Sequence, residues 1–142
     1  MEYIVGVLLA LAILVLAAAI GFDRDRSFYP VVLVVIASYY DLFAVMGGST
    51  QALLRELVGT AAFVALSMVG FKVNLWWVVA GLVGHGIFDF IHGGLIQDPG
   101  VPHWWPMFCL TFDVTAGAYL AWRLRQRSVV TNPSQFGQSR TG

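Results

Sequence analysis

Charge is what this chain most lacks. Only 11% of its 142 residues are Asp, Glu, Lys or Arg, against about 25% in a soluble domain. Hydrophobic residues make up 58% and the mean hydropathy is +0.77, so most of the surface is expected to face lipid. The eight basic and eight acidic residues cancel. That leaves no basic field of the kind nucleic-acid binding needs, and nucleic acid is not expected as a partner. Cysteine is nearly absent: Cys109 stands alone, which excludes an intrachain disulfide and a cysteine-rich metal site. The first apolar run opens Met1-Glu2-Tyr3, without the Lys or Arg that begins a cleaved leader. It is therefore expected to stay as a helix. The chain shows no internal repeat.

What is present is a series of long apolar runs. A span needs roughly 20 such residues, and five segments qualify: 3–21, 28–46, 51–71, 74–92 and 106–123. The expected fold is all-α, an integral membrane bundle of five transmembrane helices in one domain over 1–127. Short connections make sequential helices antiparallel neighbours, giving an up-and-down order. The stretch from Gly93 to Trp105, with Gly93-Gly94 ending the fourth helix, Pro99-Gly100 and Pro102, is too broken for a helix and is expected to cap one mouth. Trp76-Trp77 and Trp104-Trp105 read as interfacial belts. Residues 128–142 are polar and read as a disordered cytoplasmic tail.

Arg24, Arg26, Lys72, Arg123, Arg125 and Arg127 all fall on one side of such a bundle. The positive-inside rule then places the N-terminus outside and the C-terminus in the cytoplasm, as a multi-pass protein of the cell membrane. The run Asp23-Arg24-Asp25-Arg26 reads as a solvated turn, and the arginines after 122 as stop-transfer anchors. The Gly-rich fourth helix suits a homodimer.

Against this background the ionisable residues stand out. His85, Asp89 and His92 are spaced i, i+4, i+7 in the run Val83 to Gly93, which puts them on one helix face. Ionisable groups in a bilayer are costly and point to function. Counting about 1.5 Å per residue along each helix, Asp41, Glu56 and Asp113 fall at similar depth, with His103 in the loop above. Every histidine and every intramembrane carboxylate thus lies in the outer half of the bundle.

Three imidazoles and four carboxylates make a ligand set for a transition metal, iron, zinc or copper. Asp89-x-x-His92 has the i, i+3 geometry of ligands in di-iron carboxylate bundles. The expected metal ligands are His85, Asp89, His92, Asp41, Asp113, Glu56 and His103, with His85, Asp89 and Asp113 in the catalytic role. Glu56 is the more ambiguous, because it could snorkel to the surface, and His103 is read as a lid residue. Cys109 is read as packing. The repeated H-x-x-x-H boxes of membrane hydroxylases are absent from a chain with three histidines. The leading expectation is a metal-dependent membrane enzyme, an oxidoreductase or hydroxylase, on a lipid-like or other apolar small molecule, with membrane lipid as its surroundings. A proton or metal-ion transporter subunit, a metal-free acid/base isomerase and a non-catalytic subunit are the alternatives.

Overall fold

The structure is a computed structural model and describes residues 1–126. Arg127 and the polar tail lie outside the described residues. Within them the chain forms five α-helices: α1 (Glu2–Ile20), α2 (Phe28–Met46), α3 (Thr50–Lys72), α4 (Trp76–Leu95) and α5 (Trp105–Arg125), with a short 3-10 turn at Phe22–Arg24. Helices α1 to α4 are long and apolar enough to cross a membrane. α5 carries Asp113, Arg123 and Arg125 among its 21 residues and is less apolar.

Local chemistry sets the boundaries. Gly21 ends α1 in the left-handed conformation (φ 86°) that a side chain would resist. The Ser49 hydroxyl accepts the Ala52 N–H (3.2 Å) and starts α3. Pro106 sits in the first turn of α5, where its missing N–H costs nothing. Gly93-Gly94 does not end α4, which runs on to Leu95. The loop beyond it closes over α2: Gly100 packs against the Phe43 carbonyl and Gly47, leaving no room for a side chain.

Contacts along the helices give the topology. Pro30 and Ala37 of α2 accept bonds from Ser67 and Thr60 of α3, so these two helices are antiparallel. Glu56 of α3 meets His92 of α4 and Gly59 lies against Phe88, again antiparallel. His85 meets Asp113 of α5, while Gly117 lies against Val79, Leu82 and Val83. α1 packs on α5 rather than on α2, its neighbour in sequence. Gly6 abuts Phe108 and Thr111, and Asp23, just past the end of α1, pairs with Arg123, so α1 and α5 run parallel. A short loop therefore does not make α1 and α2 partners. They leave between them an apolar groove of about 630 Å³.

The 23–26 turn is only half solvated: Arg24 and Asp25 are exposed. Asp23 and Arg26 are buried. Arg26 donates to the carbonyls of Phe71 (2.6 Å) and Gly70 (3.3 Å) at the end of α3, where helix carbonyls lack partners and negative potential collects. Asp23 accepts from Arg123 (2.8 Å) and from the Tyr119 hydroxyl (3.3 Å). Arg123 is thus an internal ion-pair partner rather than only a membrane anchor. Next to them, Asp25 stays exposed. Its carboxyl is held below the usual range by the backbone N–H and then the hydroxyl of Ser27. Between this layer and the far half of the bundle lies an apolar core that includes Leu33, Val78, Leu82, Ala116 and Leu120.

Candidate functional site

The far half holds a second buried polar layer, built from α2, α3, α4 and α5. On α4, the turns carrying His85, Asp89 and His92 face inward, and all three side chains are buried. Gly86 lets α5 approach: a Cβ there would stand 3.2 Å from the Leu110 carbonyl and 3.5 Å from Asp113 Cβ. That approach seats Asp113 against His85, with Nδ1 2.7 Å from Asp113 Oδ2 and 3.2 Å from Asp89 Oδ2. One imidazole nitrogen therefore stands between two carboxylates. Asp89 Oδ1 accepts the Tyr40 hydroxyl at 2.6 Å.

One turn further along α4, His92 Nε2 lies 2.6 Å from Glu56 Oε1. The His92 ring stacks on Tyr40 with centroids 4.1 Å apart and planes at 23°. Phe63 and Phe88 wall the imidazoles in, Phe63 standing 4.7 Å from His85. Among the described residues the layer contains three carboxylates and two imidazoles, and no Lys or Arg. Such a set is not neutral unless it takes up protons or a cation, because buried charge must be matched.

Of the residues singled out in the sequence, the structure brings His85, Asp89 and Asp113 together: a ligand atom from each lies within 4.8 Å of the others. His92 and Glu56 form a separate pair beside them. Asp41 does not join. It is half-buried on the Glu56 side, close enough to feel that charge. One residue turns a helix by about 100°, and the inward stripe of α2 is Leu33, Ile36, Ala37, Tyr40, Phe43 and Ala44. Tyr40, not Asp41, is the α2 residue of this layer, and the spacing of that stripe was the signal for it. His103 is exposed on the loop. It lines, with His92 and Asp98, a small cavity of about 160 Å³ at the α4–α5 mouth. Cys109 is buried one helical turn before Asp113, on the same face of α5. It also lines the α1–α2 groove.

The His85–Asp89–Asp113 group could hold a metal ion. Asp113 Oδ1 is buried with no hydrogen-bond partner, and Asp89 Oδ2 has the long 3.2 Å contact to His85 Nδ1, so lone pairs remain for a cation. Bonds of about 2.0–2.2 Å in a tetrahedral shell set neighbouring donor atoms roughly 3.3–3.6 Å apart. The 3.2 Å spacing comes close to that, and the 2.7 Å spacing would have to open by more than about half an ångström.

No protein-family model matches the chain, and neither a characterised protein nor a solved structure shows similarity to it.

Proposed function

We propose that this chain is a multi-pass enzyme of the cell membrane that binds a transition metal through His85, Asp89 and Asp113 and acts on an apolar, lipid-like small molecule. In this reading α5 is the fifth span. Its one mid-helix acid, Asp113, is met inside the bundle by His85, and its arginines fall in the last turn. Arg24, Lys72 and Arg125 then mark the cytoplasmic end, with the N-terminus outside.

The observation that carries the proposal is the pair of carboxylates closing on one imidazole nitrogen, buried in an apolar bundle. One nitrogen and two carboxylates are a harder donor set than histidine alone, and they suit iron or zinc better than copper. A bound ion would supply a Lewis acid or a redox centre. The chain's own groups do the rest. Tyr40 fixes Asp89, and Phe63 and Phe88 keep water out. The Glu56–His92 pair holds a proton one turn away, next to the mouth cavity. The test is metal content of protein purified without chelator or affinity metal. About one equivalent, lost in His85→Ala and Asp113→Ala, is expected. Less than a tenth of an equivalent in the parent chain sinks the metal reading.

A metal-free acid/base enzyme is the second reading. It is favoured by the His85–Asp113 separation of 2.7 Å, which is a hydrogen bond as it stands. It is the reading that survives if the metal is absent and His85→Gln still abolishes turnover. Ion transport is disfavoured because the core of Leu33, Val78, Leu82 and Leu120 interrupts any polar path to the opposite layer.

A further inference from the structure

The groove between α1 and α2 gives the site a substrate class. It is floored by α5 and lined by apolar side chains such as Leu9, Val31, Val35, Phe108 and Phe112. Along α2 it extends from Phe28 to Tyr39, roughly 16 Å at about 1.5 Å per residue. That is about the hydrocarbon depth of one leaflet, half of roughly 30 Å. Its volume of about 630 Å³ falls in the range of small-molecule sites, about 300–1,000 Å³.

The two ends differ. At the loop end stand Asp25 and Ser27, where Asp25 is already satisfied by the Ser27 N–H and hydroxyl. At the far end stand Tyr39, Trp105 and Cys109, with Asp113 one helical turn beyond Cys109 on α5. Among the described residues no Lys, Arg or His lines the groove, so an anionic head finds no counter-charge there. Trp105 Nε1 is buried without a hydrogen-bond partner, a donor that low-dielectric surroundings leave in want of an acceptor.

We infer that the groove seats a single-chain lipid with an uncharged oxygen at its head, such as a long-chain alcohol, aldehyde or ketone. The chain lies along α2 toward Phe28. The head lies at Trp105 and Cys109, beside the His85–Asp89–Asp113 cluster. An acceptor oxygen there satisfies the Trp105 indole once the ring turns toward the groove. This assignment rests on the enzyme reading for its meaning as a substrate, and its test needs neither metal nor turnover.

The experiment is native mass spectrometry of the full chain in detergent, titrated with cetyl alcohol, hexadecane, palmitate or cetylamine. Cetyl alcohol is expected to bind at one equivalent, about fivefold tighter than hexadecane, the worth of one hydrogen bond. Palmitate is expected to bind at least tenfold more weakly. Val35→Trp and Leu9→Trp, both at half-exposed positions, fill the groove and should each remove binding. Trp105→Phe should bring the alcohol down to the level of the alkane. His85→Ala should leave alcohol binding intact, so loss of metal or activity there does not touch the groove assignment. Equal binding of alcohol and alkane marks a general seat for bilayer chains and overturns the inference. So does cetylamine binding tighter than the alcohol, or binding unmoved by Val35→Trp. A dimer that Val35→Trp dissociates assigns the groove to a second copy of the chain and likewise overturns it.

Discussion

The bundle buries ionisable groups twice, and the two layers solve the problem differently. At the end that holds the α1–α2 turn, Asp23 is matched by Arg123 and Tyr119, and Arg26 closes the last turn of α3. Each charge has an opposite partner or a carbonyl. In the other half, Glu56, Asp89 and Asp113 face two imidazoles and a tyrosine, with no Lys or Arg among the described residues paired to them. A layer that carries its own cations holds a fold together. An acid-rich layer without one is a site that waits for a proton or an ion, and such sites are commonly kept at some cost to stability.

That contrast can be broken by mutation. Asp23→Ala removes the acid that Arg123 and Tyr119 share, and the chain should lose about 3 kcal/mol. That is the low end for a broken buried pair, because the Arg123 side chain keeps 15% exposure. Thermal melting in detergent measures it, and a loss under about 1 kcal/mol would put the Asp23–Arg123 pair among ordinary surface bridges. Tyr40→Phe removes a hydroxyl bonded to a buried carboxylate and should cost about 1.5–3 kcal/mol, the range for hydrogen bonds to charged groups. The same melts test it, together with loss of metal. Gly86→Ala forces α5 away from α4. A cost of about 1–2 kcal/mol is expected from overpacking, with reduced metal content although no ligand has changed. Full metal occupancy in that variant would show that helix approach does not set the site.

The sharpest comparison is Asp113→Asn. In a matched layer removing a charge destabilises; here it relieves crowding among acids, so stability should change by less than about 1 kcal/mol or rise while metal binding is lost. A loss as large as that of Asp23→Ala would erase the distinction. The smallest effect lies in the exposed loop. Because the Ser27 N–H and then its hydroxyl hold the Asp25 carboxyl below its usual value of 3.8, these bonds contribute stability above that value and lose it as pH falls further. Ser27→Ala removes the hydroxyl and keeps the N–H bond, so the Asp25 titration should move only part of the way up, visible by carboxyl-carbon NMR, with only a slight change in melting.

Much of this was legible in the amino-acid order. Hydropathy located the helical runs because lipid demands long uninterrupted stretches. The spacing of His85 and Asp89 placed them on one face, and depth counting brought Asp113 and Glu56 to their level. What stayed hidden depends on rotation and partner choice. Asp41 and Tyr40 are adjacent, and only the packing of α2 on α3 and α4 decides which faces in. Asp23-Arg24-Asp25-Arg26 has the composition of a solvated turn whether or not two of its side chains fold under the bundle. His103 matched the cluster in depth alone, since a loop has no helical phase to fix its direction.

The parallel packing of α1 on α5 has a consequence in time. The first helix to leave the ribosome finds its partner only when the last one has been made, a long-range closure of the kind that slows folding. Until then Gly6 and Asp23 have not met their α5 partners, and Asp113 has not yet reached His85. The acid-rich layer and the seating of α1 are therefore completed by the same event. Shortened chains that stop before α5 should leave α1 loose and Asp89 without its second carboxylate, a signature that pulse-chase cross-linking between α1 and α5 can date.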